Sequence, residues 1–390
     1  MTQNSHLPEF ELSSRIEKIQ SMMVSQNIDA IILNNNANIY YTAGRVFNGY
    51  VYIPQNGEAT YFVRRPVNLF GSNIIYIHKP EQIVEHIHIT ESATIGLELD
   101  LLPYSAIERI RKIFSNAKIA NASGILRQSR SVKTDYEIEC LKRSGLKHAM
   151  VYSHIPAMYQ NGMTDLELQI EIERLSRLEG CLGQFRISGE SMELFMGNLL
   201  CGDNADNPTP YDFAMGGAGL DNSLPVGCNG TTIKQGMAIM VDMNGNYTGY
   251  MTDMTRVFSL GEISTLALKA HECSRRITRE LSSMGLPGVE AKKLYERALE
   301  IAKEEGLEQY FMGHRQKAGF VGHGVGIEVN ELPVIAPRSK DILCDGNVIA
   351  LEPKFVIPSI GAVGIENTYI VTNNGMISIT NAPENIISLD

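Results

Sequence analysis

The chain has 390 residues, 44% of them hydrophobic and 20% charged, a make-up that suits a globular protein large enough for two domains. Its 44 acidic and 34 basic residues leave a net charge of −10, which with no dense Lys/Arg run argues against nucleic-acid or anionic-membrane partners. Six cysteines without a CxxC pair give no disulfide framework or thiolate zinc site, and neither a signal-peptide pattern nor a membrane-length apolar run is present, so the expectation is a cytoplasmic protein.

The first element is a helix over 15–26, with Ile16, Ile19, Met22 and Met23 on one face. Short apolar runs at 30–33, 51–53, 59–63, 74–77 and 95–99 read as strands, and 105–114 as a helix. Strands interspersed with helices, ending near residue 130, predict an α/β domain over 1–130. Thr134-Asp-Tyr-Glu137 is a capping-box pattern that opens a helix running through Met158. Thr164-Asp-Leu-Glu167 repeats the signal for a second helix ending near Gly180. Residues 181–235, rich in Gly, Asn and Pro, read as loops and short strands. Helices at about 264–284 and 289–306 follow the first of two hairpins, which makes 131–390 an α+β domain.

The two hairpins carry the chemistry. Asp242 and Asp253 lie in 238–259, two β-type runs around a turn at 244–249. Glu352 and Glu366 lie in 348–371, with 358–361 as the turn. Symmetric pairing sets Asp242 opposite Asp253 and Glu352 opposite Glu366. Like charges facing each other on paired strands repel, and apolar neighbours such as Ile239, Val241, Ile349 and Leu351 imply costly burial. Two such hairpins point to a shared cation.

Gly322-His323-Gly324-Val325-Gly326 adds an imidazole in a setting where the backbone can approach a ligand closely. A GHG tripeptide by itself fits a turn histidine bonded to backbone; beside four carboxylates it completes an oxygen-rich ligand set. Such a set suits Mn²⁺ first, with Co²⁺, Zn²⁺ or Fe²⁺ as alternatives. Four carboxylates around one ion carry excess negative charge, so two divalent ions are expected. Two ions can polarise a carbonyl and acidify a water between them.

The order Asp242, Asp253 (in Thr252-Asp-Met-Thr-Arg256), His323, Glu352 (before Pro353) and Glu366 (in Gly364-Ile-Glu-Asn-Thr368) resembles the pita-bread metallopeptidases, the family of methionine aminopeptidase, aminopeptidase P, prolidase and creatinase. Ile28-Asp-Ala and Asn38-Ile-Tyr-Tyr-Thr-Ala-Gly44 resemble the N-terminal domain of the creatinase and prolidase branch. The resemblance implies a pita-bread catalytic domain over 131–390 behind a creatinase-type domain over 1–130, in a homodimer. It implies that Asp253 and Glu366 bridge two metals, that Asp242 chelates one, and that His323 and Glu352 complete the other. Glu352 is then also the catalytic proton shuttle.

Three positions depart from that family's pattern. Val226 (in Leu224-Pro-Val-Gly227) stands where the peptidases carry a histidine, Asn330 (in Val329-Asn-Glu-Leu-Pro333) replaces a second histidine, and Gly364 replaces a prolidase-like arginine. Those side chains orient substrate or stabilise the tetrahedral intermediate, so the metal set is kept while the peptide-reading shell is rebuilt. Asn330 can still donate a hydrogen bond. His314 and Arg315 are further substrate-binding candidates, an arginine being able to clamp a carboxylate, although a solvated loop fits them equally. Tyr211, Asp212 and Phe213 are positional candidates for a pocket wall; Asp203, Asn204 and Asp206 fit a polar turn, and Cys228 a structural thiol. The expected activity is hydrolysis of the first peptide bond of a short peptide with proline second. A hydrolase or lyase acting on a small non-peptide compound is the alternative, and a non-catalytic binding protein a more distant one.

Overall fold

In the computed structural model, residues 7–89, 92–190, 192, 193 and 195–390 are described, and the chain divides into two compact units, Met1–Arg130 and Ser131–Asp390. In the first unit a six-stranded mixed sheet runs in the order Ile74–Tyr76, Thr60–Arg65, Asn48–Pro54, Ala30–Leu33, Thr94–Leu97, Lys118–Asn121. The apolar run 30–33 becomes its centre because both faces are covered: all four residues are buried. Helix Glu9–Ser25 buries Ile16, Ile19 and Met23, the spacing of one helical face. The sequence pattern passed over helix Asn36–Ala43, whose apolar stripe is short. Its ends are set by local chemistry: the Asn35 side chain accepts from Ala37 N–H, and Gly44 closes it at φ 68°.

The second unit is built from antiparallel sheets with helices on their outer faces. A four-stranded sheet has the order Ile387–Ser388, Met251–Ser259, Ala238–Asn246, Gly197–Cys201, and a five-stranded sheet the order Glu331–Ile335, Gly322–Gly324, Val348–Leu351, Asn367–Thr372, Gly375–Ser378. Lys354–Ile357 and Gly361–Gly364 form a separate two-stranded ladder. Helices Asp135–Ser153 and Asp165–Leu178 pack on the four-stranded sheet, while Thr265–Met284 and Ala291–Glu304 pack on the strands of the second hairpin and its sheet. Both capping boxes form: Thr134 and Thr164 accept from the N–H groups of Glu137 and Glu167, whose carboxylates accept in return. No described helix is long and apolar enough to cross a membrane.

Two expectations are corrected. The helix opened by Thr134 stops at Ser153, and a single turn, Ile155–Met158, follows His154. Pro156 has no N–H to give to Tyr152, so the helix cannot run through it. In the first hairpin, Asp242 pairs with Thr255 and Asp253 with Asn244, so the two aspartates are diagonal rather than opposite. The hairpin is centred one residue later than an Asp242–Asp253 pairing requires, which moves each partner by two. An even shift keeps both aspartates on one face of the sheet.

Candidate metal centre

Glu352 and Glu366 sit where the second hairpin passes from one ladder to another. Leu351 pairs with Asn367 and Lys354 with Gly364, and this one register leaves Glu352 and Glu366 facing each other between the ladders. The first hairpin reaches the same place through an isolated bridge, with Thr255 and Glu366 exchanging backbone hydrogen bonds of 3.3 and 3.2 Å. His323 arrives on the strand between Glu331–Ile335 and Val348–Leu351. Its flanking glycines serve the neighbouring strands rather than a ligand. A Cβ on Gly322 would lie 2.4 Å from Ala350 O, and one on Gly324 2.2 Å from Leu332 O. Asp242, Asp253, His323, Glu352 and Glu366 thus line one cavity of about 70 Å³.

Hydrogen bonds fix the carboxylates. Thr255 Oγ1 donates to Glu366 Oε2 at 2.7 Å, and Thr368 Oγ1 donates to Asp253 O while accepting from Asp253 N–H. Arg256, 1% exposed, donates to Thr255 O, Glu366 O, Asn367 Oδ1, Ala382 O and Pro383 O, which ties the backbone behind Glu366 to the C-terminal segment. The Tyr152 hydroxyl donates to Met254 O and accepts from Met243 N–H, between the two aspartates. The sequence pattern assigned these groups no role.

The largest feature it missed is Lys354. Its side chain is fully buried, and Nζ lies 2.7 Å from Asp242 Oδ2, 2.8 Å from Glu352 Oε2 and 3.2 Å from Glu366 Oε2. Residues 352 and 354 share a face by strand alternation, so a lysine two positions past Glu352 was the readable signal. The five candidate ligands form two groups whose donor atoms lie within 4.8 Å of one another: Asp253, His323 and Glu366, and Asp242, Glu352 and Glu366. In the first, Glu366 Oε1 is buried without a hydrogen-bond partner, an orphaned acceptor that a cation satisfies. The first group therefore fits a divalent ion. The second already holds an ammonium.

The electrostatics follow. Burial and the Asp242 charge push Asp253 up to about 7, and burial together with Asp253 holds Glu366 well above the usual carboxylate range. Burial would raise Glu352 too, but Lys354 and His323 outweigh it and bring it down to about 2. Burial opposes the charged form of His323, yet the Glu352 and Asp253 carboxylates carry it up to about 9. His323 Nε2 lies 3.3 Å from Glu352 Oε1 and 3.9 Å from Asp253 Oδ2.

The substrate-binding candidates separate. Asn330 lines the cavity, but its amide is spent on Ser188, accepting from its N–H and donating to its carbonyl. His314 and Arg315 are not among the lining residues; Asp206 holds both, with 2.9 Å to His314 Nδ1 and 2.9 Å to the Arg315 N–H. Asp212 and Phe213 do line the cavity, whereas the Tyr211 hydroxyl donates to Glu193. Val226 is buried and is not a lining residue. At Gly364, φ is 143° and a Cβ would lie 2.6 Å from Pro353 O, so this backbone admits no arginine there. The Cys228 thiol is buried, raised well above its ordinary value by burial, and donates to Gln169 and Leu199.

An antiparallel α+β unit that gathers an acid–histidine cluster between two hairpins, joined to a mixed-sheet α/β unit, defines a metallohydrolase of the creatinase and prolidase architecture. The sequence matches Metallopeptidase family M24 over residues 139–373 and the Creatinase/Prolidase N-terminal domain over 15–132, and the chain belongs to this family. It is 25% identical over 382 residues to a Xaa-Pro dipeptidase of Pyrococcus horikoshii, covering 96% of this chain and 99% of that one. An uncharacterized peptidase, YqhT, of Bacillus subtilis is 24% identical over 391 residues, covering 96% and 100%. Among solved structures, the fold matches a Xaa-Pro dipeptidase from Bacillus anthracis (TM-score 0.80, 24% identity, 97% of this chain and 99% of that one). It also matches the prolidase from Pyrococcus horikoshii OT3 (TM-score 0.78, 22% identity, 96% and 100%).

Proposed function

We propose that this protein is a metal-dependent hydrolase that cleaves the amino-terminal bond of a short peptide, in the manner of a Xaa-Pro dipeptidase or aminopeptidase. The observation that carries the reading is the convergence of Asp242, Asp253, His323, Glu352 and Glu366 on one cavity in a chain of the M24 family. Asp253, His323 and Glu366 would hold a divalent ion, with Mn²⁺ the first candidate and Co²⁺, Zn²⁺ and Fe²⁺ the alternatives. When bound, such an ion supplies Lewis-acid polarisation of the scissile carbonyl.

The protein's own groups supply the rest. Glu352, kept ionised by Lys354, can accept a proton at Oε1, the oxygen that faces His323. Asn198 Oδ1 and Asn244 Oδ1 are buried acceptors without partners, and both residues line the cavity beside Asp242. Three acceptors together favour a substrate that brings an ammonium group, as a free peptide amino terminus does.

A second reading has its own observation. With Asn330 bound to Ser188, Val226 outside the cavity lining and Gly364 unable to carry a side chain, none of these three positions supplies a donor to orient a peptide carbonyl. That favours hydrolysis or elimination on a small amine-bearing compound other than a peptide. Xaa-Pro dipeptides, longer Xaa-Pro peptides and N-terminal Met peptides, assayed with Mn²⁺ or Co²⁺ and with chelator, separate the two. Chelator-sensitive release of the first residue is expected. No turnover of any peptide at full metal loading removes the peptidase reading and leaves the second.

A further inference from the structure

We propose that the Lys354 ammonium is a built-in replacement for one of two metal ions, so that each chain binds a single divalent cation. The inference rests on reading the acid–histidine cluster as a metal centre and concerns what each half of that centre can contain.

The argument is steric before it is electrostatic. The atoms that would coordinate an ion in the Asp242 half, Asp242 Oδ2, Glu352 Oε2 and Glu366 Oε2, are the same three that contact Lys354 Nζ, at 2.7, 2.8 and 3.2 Å. A first-row divalent ion shared by three carboxylate oxygens sits roughly 2.0–2.2 Å from each. That point nearly coincides with Nζ, so ion and ammonium exclude each other. Lysine could yield the place only by swinging away, and its side chain is 0% exposed, with the Lys354 N–H held against Met312 and residues 354–357 paired to 361–364. Moving the ammonium into apolar surroundings without a carboxylate is strongly unfavourable.

The other half is arranged differently. Glu366 divides its oxygens: Oε2 takes Lys354 and Thr255, while Oε1 is buried with no donor. Asp253 accepts only its neighbour's Met254 N–H through Oδ1 among the described side-chain hydrogen bonds, at 3.1 Å, which leaves Oδ2 toward His323. Oδ2 of Asp253, Oε1 of Glu366 and Nε2 of His323 are therefore available for an ion, and Glu352 Oε1 lies beside them. The four carboxylates face one fixed monovalent cation and one exchangeable divalent one.

The test is ion stoichiometry. Chain stripped with chelator and desalted is titrated with Mn²⁺ and, separately, Co²⁺, following heat and bound metal by elemental analysis. One ion per chain is expected for the wild type. Lys354→Ala, checked for native circular dichroism, is expected to bind two, the second at least tenfold tighter than any second ion on the wild type. If that variant does not fold, electron paramagnetic resonance of Mn²⁺-loaded wild type decides, because an isolated ion gives a six-line spectrum and a pair gives an exchange-coupled one. Two tight ions or a coupled spectrum in the wild type overturn the proposal, as does a folded Lys354→Ala chain that still binds one. No ion at all overturns it together with the metal-centre reading. A chain that binds one ion and cleaves no peptide keeps this inference and loses only the peptidase.

Discussion

Thr368 and Asp253 hold each other across the junction of the two hairpins: the Thr368 hydroxyl accepts from the Asp253 N–H at 2.8 Å and donates to the Asp253 carbonyl at 2.9 Å. The pair fixes the backbone that carries a candidate ligand, and both partners are buried. Thr368→Val keeps the shape but leaves a buried N–H and C=O unpaired. The expected loss is about 1–3 kcal/mol of stability. Mn²⁺ affinity should also fall, by roughly 10–100-fold, the usual effect of removing a group that orients a ligand. Chemical denaturation and Mn²⁺ titration measure the two effects, and an unchanged affinity would show that Asp253 needs no such support.

Glu352 stands between His323 and Lys354, and its replacement separates charge from shape. Glu352→Gln retains a hydrogen bond to Lys354 Nζ through the amide oxygen but removes the base. If Glu352 takes the proton in turnover, kcat should fall at least 10²-fold on whichever substrate is cleaved, with the bound ion retained. Near-normal kcat would reassign the base.

Much of this centre could be read from residue order, because carboxylates at equivalent places in two hairpins survive errors of register. Misplacing the first turn shifted the partner of Asp242 from Asp253 to Thr255 without moving either aspartate off its face. Glu352 and Glu366 came out opposite because a three-residue turn, 358–360, leaves the register no freedom. What stayed hidden depends on contacts between segments far apart in the chain. Asp206 captures His314 from 108 residues away, and Ser188 captures Asn330 from 142. Lys354 was legible in spacing but not in sign, since a lysine beside acids reads as a solvated pair until its burial is known. Helix Asn36–Ala43 escaped because eight residues give too few turns for a periodic pattern.

Lys133 and Glu331 form an ion pair of 2.9 Å with both side chains 1% exposed, and Glu331 Oε1 also accepts from the Ile327 and Glu328 N–H groups. The pair shapes the turn that presents Asn330 to the cavity. Lys133→Met removes the cation from a buried carboxylate that keeps its backbone donors. Destabilisation of about 3–5 kcal/mol is expected, the range for breaking a buried pair. A urea midpoint within error of the wild type would mean that Glu331 is held without the Lys133 ammonium.

His148 gives stability a defined dependence on pH. It is 2% exposed, Nδ1 lies 3.1 Å from Thr252 Oγ1, Nε2 has no hydrogen-bond partner, and the ring packs edge-on to Tyr152. Burial, with a smaller contribution from Arg256, lowers its pKa to about 3. An unfolded histidine titrates near 6.5, so between about 6.5 and 3 the unfolded chain binds a proton that the folded chain refuses. Its contribution is complete above 6.5 and is lost as pH falls. From pH 7 to pH 5 the loss from this one group is about 2 kcal/mol. His323 works in the opposite sense at higher pH, because its pKa is raised to about 9 and its contribution, full below 6.5, is lost as pH rises through 9. Comparing urea unfolding of metal-free wild type and His148→Gln at pH 7 and pH 5 cancels the groups they share. The variant should lose about 2 kcal/mol less over that interval, whatever its stability at pH 7, and equal losses would show that His148 accepts its proton without leaving the fold.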